Sequence, residues 1–341
     1  AVLEKAKARG YARDFEDVQA FCEENKGWLD SYALYMACKK HFGMKAWSEW
    51  EDEDIRMHRA PAVKKYSQDL QEDIELFVYI QYLFFKQWNA LRTYINDLGI
   101  EIIGDLPIYV SMDSADVWAE SEYFALNEER IPREVAGVPP DYFSEDGQLW
   151  GNPLYDWDAM AKDGYGWWIR RIEGASKLYD VIRIDHFRGF DEYWFVPYGD
   201  PTAENGHWEK GPGYELFDVM KKKLGRKKVI AEDLGFLTPS VIRLVKKTGY
   251  PGMKILQFAF DAGNDSEYLP HNYTQNSVVY TGTHDNETLY QWVAGLSPES
   301  DAYAREYLHI GPDDDLAQAI IHAGMDSKAD LFVAQMQDYL R

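Results

Sequence analysis

The chain has 341 residues, 46% of them hydrophobic and 15% aromatic. That is enough for a large core, and it excludes a disordered chain, a fibrous repeat and a small disulfide scaffold. Acidic side chains outnumber basic ones 58 to 36, a net charge of −22, so nucleic acid and anionic membrane surfaces are not expected as partners.

Residues 1–98 read as a helical segment inserted in, or packed on, the body that follows. Ala1 is not a Met and already lies in a charged, helix-like stretch, which suggests that the natural start lies upstream. No basic stretch followed by an apolar core opens the chain, so no secretory leader is expected. Cys22 and Cys38 read as reduced thiols of a cytosolic protein. The run Glu51-Asp-Glu-Asp54 reads as a solvated acidic face rather than a metal site. Residues 64–98 carry Ile74, Phe77, Ile80, Phe84, Trp88, Leu91 and Ile95 at helical spacing, and Gly99 is a fitting stop. One long helix is predicted there.

From residue 99 short apolar runs alternate with helical segments, the pattern of βαβ units. Strands are predicted at 100–104, 179–184, 228–231, 253–260, 277–283 and 330–334. Helices are predicted near 159–175, 213–224, 239–248 and 313–324. The strand runs are β-branched and nearly continuous, as for strands buried on both faces of a parallel sheet. Residues 106–160 interrupt this alternation and read as a long Pro/Gly/aromatic surface loop. No Gly-rich phosphate loop is found. Six strands are two short of a (β/α)₈ barrel.

Acidic residues follow the strands at their C-terminal ends, where both barrels and open α/β sheets place their sites. Asp185, Glu232 and Asp285 are spaced 47 and 53 residues apart, each about one βα unit. Two carboxyls roughly 5–5.5 Å apart across a sugar suit retaining glycoside chemistry. Arg183 shares a strand face with Asp185, and a guanidinium there would keep that carboxylate charged. Asp185 is therefore expected as nucleophile and Glu232 as proton donor. His284 and Asp285 would grip sugar hydroxyls, with Asp285 favouring the oxocarbenium-like transition state. Competing readings are helix caps or turn residues, and a metal site built from Asp185, His186, His284 and Asp285. The segment 261–267 faintly suggests a calcium loop but lacks the ligand pattern. The sequons at Asn264, Asn272 and Asn286 are discounted.

At these residues the sequence resembles the 4-α-glucanotransferases of the amylomaltase (disproportionating enzyme) type, glycoside hydrolase family 77 in the α-amylase clan. The resemblance rests on Gly104-Asp-Leu-Pro-Ile-Tyr-Val110 with Asp113-Ser-Ala-Asp-Val-Trp118, on Gly137-Val-Pro-Pro-Asp-Tyr-Phe-Ser144 with Gly147-Gln-Leu-Trp-Gly-Asn-Pro153, and on Ile182-Arg-Ile-Asp-His-Phe-Arg-Gly189. It continues through Ile230-Ala-Glu-Asp-Leu-Gly235, Gly249-Tyr-Pro-Gly-Met-Lys-Ile-Leu-Gln-Phe-Ala-Phe260 and Thr281-Gly-Thr-His-Asp-Asn-Glu-Thr288. It implies a (β/α)₈ TIM barrel of which residues 99–341 supply strands three to eight, leaving the barrel incomplete without its first two strands and C-terminal tail. It implies the same three catalytic roles, with Arg183 and His284 at substrate positions. Asp141, Tyr142 and Phe143 match a loop folding over the glucan, with Trp150 near it and Asp105 and Asp261 as further contacts.

The implied reaction moves an α-1,4-glucan segment to the 4-hydroxyl of glucose or a maltooligosaccharide. It uses no organic cofactor and no catalytic metal. The compartment implied is cytoplasmic, or plastidial for a plant protein. An amylase-like hydrolase and a non-catalytic glycan-binding fragment are the alternatives. Most aromatics, among them Tyr82, Trp88, Trp167, Trp168 and Phe258, read as core.

Overall fold

The computed structural model describes residues 14–140, 144–235, 237–260 and 266–340. They form two compact units. One holds the chain up to Asp180 together with Glu192–Gly225; the other holds Val181–Asp191 and the chain from Arg226. Ten strands are present among the described residues: β1 (Ile103–Leu106), β2 (Glu134–Val138), β3 (Gln148–Pro153), β4 (Val181–Ile184), β5 (Glu192–Pro197), β6 (His207–Lys210), β7 (Val229–Ala231), β8 (Gly252–Ile255), β9 (Ser277–Tyr280) and β10 (Leu331–Val333). All six predicted strands are among them, each within a few residues of its expected place.

In the first unit, helix α1 (Phe15–His41) is followed by α2 (Ala60–Asp69) and α3 (Gln71–Asp97). The single helix expected over 64–98 is therefore two, parted at Leu70. The reason is packing. Tyr66 meets Phe42 just past the end of α1, ring centroids 5.9 Å apart, and Tyr82 meets Phe21 near its start at 6.0 Å. On one continuous helix these two tyrosines would lie roughly 160° apart around the axis. The break lets both face the same partner. Gly99, at φ +77°, stands past the end of α3 as anticipated.

Residue 98 is not a boundary between the two units. Trp88 Nε1 donates to the Leu178 carbonyl at 2.9 Å and Arg92 Nε to Asp180 Oδ1 at 3.1 Å, which ties α3 to the chain up to Asp180. Much of the aromatic content is core: Trp47, Trp50, Trp118 and Trp168 are fully buried.

The predicted helix at 159–175 is a short turn, Trp157–Lys162, followed by α4 (Gly166–Leu178). Gly164 and Tyr165, at φ +70° and +57°, reverse the chain between them. Helix α5 (Tyr214–Leu224) lies where expected. The segment 106–160 is more ordered than a surface loop. Its strands β2 and β3 join β5 and β6 in an antiparallel sheet of order β3-β2-β5-β6. That sheet is pinned by Trp194, which packs on Val135, Val196 and Ala203 and donates its indole N–H to the Ala203 carbonyl at 2.9 Å.

The second unit is α/β. Strands β4 and β7 pair in parallel, with Arg183 opposite Ile230. Strands β8, β9 and β10 do likewise, β9 in the middle. Between the two sets, the Ala231 N–H donates to the Pro251 carbonyl at 2.9 Å. Every residue of β7 and β9 is buried, as in a sheet covered on both faces. Ile230, Met253, Ile255, Val278 and Tyr280 cluster on one face. Val279 packs on the other with Leu289, Leu316, Ile320 and Ile321.

The helices of this unit are α6 (Pro239–Thr248), α7 (Leu289–Ala294), α8 (Pro298–Leu308), α9 (Leu316–Met325) and α10 (Met336–Leu340). Helix α6 matches its predicted bounds because its signals are unambiguous. Thr238 caps it, Pro239 opens it, and Gly249 closes it at φ +73°. Asp315, from the acidic run 313–315, caps α9 through the Gln318 N–H at 3.1 Å. The strand predicted over 253–260 stops at Ile255, and a 3₁₀ turn over Leu256–Phe258 follows. Phe258 and Phe260 therefore do not alternate along a strand. Phe258 meets Tyr268 edge-on at 5.4 Å, and Phe260 is buried.

Candidate active site

Three of the predicted carboxyl groups stand just past strand ends in the second unit: Asp185 after β4, Glu232 after β7 and Asp285 beyond β9. The first two are locked side by side by backbone. The ladder of β4 and β7 runs on past both strands. The Glu232 N–H donates to the Ile184 carbonyl and the Phe187 N–H to the Glu232 carbonyl, each at 3.0 Å. His186 adopts a left-handed conformation, φ 48° and ψ 49°. This turns the chain into a 3₁₀ segment, Phe187–Phe190, whose residues are buried.

The same turn aims the His186 N–H at Glu232 Oε2, 2.7 Å away, while the Leu234 N–H reaches Oε1 at 2.9 Å. Glu232 is only 9% exposed. Burial pushes its carboxyl up to about 7, helped by the negative charge of Asp185 and opposed by the two N–H donors and Arg183. Burial, with Arg188 nearby, depresses His186 to about 3, so its ring is neutral.

Arg183 behaves as strand alternation anticipates. Its Nη2 lies 3.2 Å from Asp185 Oδ1. Its Nε points at Met253 Sδ, 3.3 Å away. Met253 is held in turn, its N–H donating to Asp233 Oδ1 at 2.7 Å. Burial raises the carboxyl of Asp233, opposed by that N–H. The result is a chain of contacts from Asp233 through Met253 and Arg183 to Asp185.

Gly252 is essential to this chain of contacts, because a Cβ there would sit 2.3 Å from Asp233 Oδ2. Gly252→Ala is expected to cost on the order of 1–3 kcal/mol by urea unfolding. It should also lower activity, because Asp233 must leave Met253.

Asp285 and His284 are different in kind. Both are exposed, with His284 Nε2 3.5 Å from Asp285 Oδ2. The Asp285 N–H donates to Thr283 Oγ1 at 3.2 Å.

Two other predicted residues lie in the first unit. Trp150, on β3, packs near Tyr109 at 6.2 Å and donates to Gln148 Oε1 at 3.1 Å. Asp105, on β1, lines a cavity of about 440 Å³ with Trp28, Phe85, Trp167, Arg171 and Tyr179. Asp141, Tyr142, Phe143 and Asp261 fall outside the described residues. Sequence reasoning missed Met253 and Asp233, and it weighed His186 only as a metal ligand. The signal available for Met253 and Asp233 was their place in the Glu-Asp and Gly-Met pairs at neighbouring strand ends. Among the described residues no group of three or more His, Cys, Asp or Glu side chains is placed to hold a metal. Among the described residues no helix is long and apolar enough to cross a membrane.

The family model for glycoside hydrolase family 77, 4-alpha-glucanotransferase, matches residues 1–341. The 4-alpha-glucanotransferase of Clostridium butyricum is 46% identical over 99% of the chain and 70% of its own length. The chloroplastic/amyloplastic 4-alpha-glucanotransferase of Arabidopsis thaliana is 46% identical over 92% of the chain and 54% of its own length. Among solved structures, the amylomaltase of Streptococcus agalactiae, in complex with acarbose, superposes with a TM-score of 0.95 at 44% identity, covering 99% of the chain and 69% of that protein. Family match, sequence identity and superposed fold agree: the chain belongs to glycoside hydrolase family 77, the 4-α-glucanotransferases, transferases acting on α-1,4-glucans.

Proposed function

We propose that transfer runs through a glycosyl ester on Asp185, with retention at the anomeric carbon. The observation that carries this is the unequal pair of neighbouring carboxyls. Glu232 is buried and raised to about 7, while Asp185 is paired with the Arg183 guanidinium. Neighbouring carboxyls in such unequal environments take different parts. An Asp185 oxygen attacks C1 of the donor sugar as the glycosidic bond breaks. The electron pair leaves on the 4-oxygen, which takes the Glu232 proton. Glu232, now a carboxylate, then removes the proton from an acceptor 4-hydroxyl. That oxygen attacks C1 and releases Asp185. Asp285 and His284 hold sugar hydroxyls and favour the oxocarbenium-like transition state.

Asp141, Tyr142, Phe143 and Trp150 belong in this reading to a loop over the glucan, with Asp105 and Asp261 as further contacts. Shielding the intermediate from water favours a sugar acceptor. The donors and acceptors are maltooligosaccharides or a longer α-1,4-glucan, and the compartment is the cytoplasm, in keeping with the free cysteines Cys22 and Cys38. The architecture in this reading is a (β/α)₈ barrel to which the chain contributes strands three to eight. Two parallel sets in chain order, β4 with β7 and β8 with β9 and β10, linked by the Ala231 N–H to the Pro251 carbonyl, support it, with one apolar face and one helix-covered face. Incubation with maltotriose tests the reaction: a ladder of longer oligomers plus glucose is expected. Glucose and maltose alone would make the protein a hydrolase, and binding without turnover would make it a glycan-binding module.

A further inference from the structure

The turn that carries His284 and Asp285 is gripped from outside. Strand β9 ends at Tyr280 and α7 begins at Leu289, so residues 281–288 span the gap. Asp338, on α10, is fully buried. Its Oδ2 accepts from Thr281 Oγ1 at 2.7 Å and its Oδ1 accepts from the Leu289 N–H at 2.7 Å. One carboxylate thus ties the first residue of the turn to the residue after it. Gln335 Nε2 donates to the Thr283 carbonyl at 2.7 Å. Gln257 Nε2 donates to the Glu287 carbonyl at 2.8 Å. Inside the turn, Asn286 Oδ1 accepts both the Thr283 N–H and its hydroxyl at 2.9 Å.

His284 and Asp285 themselves are 68% and 76% exposed at the side chain, so their placement is set by the backbone beneath them. Burying a carboxylate is costly unless it is well hydrogen-bonded. This carboxylate takes a hydroxyl and a backbone N–H, one at each end of the turn.

We propose that Asp338 is a positioning residue for the transfer reaction. It fixes the 281–289 turn so that Asp285 meets the sugar, and this rests on the role given to Asp285 above. An error of about 1 Å in such a group can cost up to roughly 100-fold in rate.

The test uses the whole chain and counts working sites by the fluoride burst from α-maltosyl fluoride. A loss of stability alone lowers the number of sites but not kcat per site. Asp338→Ala is expected to lower kcat per site by about 10–100-fold. Asp338→Asn can accept from the Leu289 N–H and donate to Thr281 Oγ1, so it should stay within about threefold of wild type. Thr281→Val removes one arm while sparing the acid, and should lower kcat per site by a smaller factor. In an Asp285→Asn background, neither Asp338→Ala nor Thr281→Val should cause a further loss, because they act through Asp285.

An unchanged kcat per site in Asp338→Ala overturns the proposal, as does a loss that multiplies that of Asp285→Asn. If Asp338→Ala does not fold, Thr281→Val decides by the same criteria. An Asp285→Asn enzyme with unchanged kcat overturns the role of Asp285 first and the proposal with it, so the two failures are told apart.

Discussion

Asp185→Asn is expected to abolish transfer from maltotriose, by a factor on the order of 10⁴ or more, as for other enzymes stripped of their nucleophile. No sugar ester should appear on the 181–191 segment by mass spectrometry, even with α-maltosyl fluoride, whose leaving group needs no proton. Retained ester formation would sink the assignment. The same substitution has a second, opposite-signed consequence. Asp185's charge is one of the causes holding Glu232 up, so its loss should lower the carboxyl of Glu232, readable by carbon NMR titration of the labelled side chain. A Glu232 that titrates unchanged would mean that the two groups are not electrostatic neighbours.

Glu232→Gln gives the second large effect, and its form matters more than its size. With maltotriose the rate should fall by about 10²–10⁴-fold, the usual worth of a placed acid and base. With α-maltosyl fluoride the first step should survive, giving one equivalent of fluoride and a trapped ester on Asp185. The second step then stalls, since no carboxylate is left to deprotonate the acceptor. Azide, which needs no deprotonation, should release the ester.

In the unsubstituted protein the free carboxyl sits at about 7. It must carry its proton to act as the acid, so kcat/KM should fall as pH rises through about 7 with a one-proton slope. Glu232→Gln acting on the fluoride should lose that limb. An alkaline limb that persists there would belong to another group.

What the sequence made legible follows from what carries a local signal. The parallel strands were readable because strands buried on both faces must be largely apolar, as at Val229–Ala231. Helix α6 was readable because cap, proline and glycine all mark its ends. The antiparallel sheet was not, because its short edge segments, such as His207–Lys210, alternate too little to show a period. The break at Leu70 was invisible because it answers to α1, not to its own residues.

The same divide runs through the site. Residue types and spacing singled out Asp185, Glu232 and Asp285. The state of Glu232 depends on burial and on the backbone N–H of His186, 46 residues away, and no pattern of letters carries that. Asp338 lies 57 residues from Thr281 and sits in a short helix with no motif to mark it.

The chain enters the second unit twice. Val181–Asp191 belongs to it, Glu192–Gly225 returns to the first unit, and Arg226 resumes the second. Asp185 arrives on the first visit and Glu232 on the second. On the ribosome, β4 therefore emerges well before β7, the strand it must pair with, and meanwhile exposes an unpaired edge and apolar residues. The neighbouring pair of carboxyls cannot be assembled by trimming the protein to one contiguous piece that starts at Arg226, since such a piece leaves Asp185 behind. Any circular permutation that keeps the site must carry both visits.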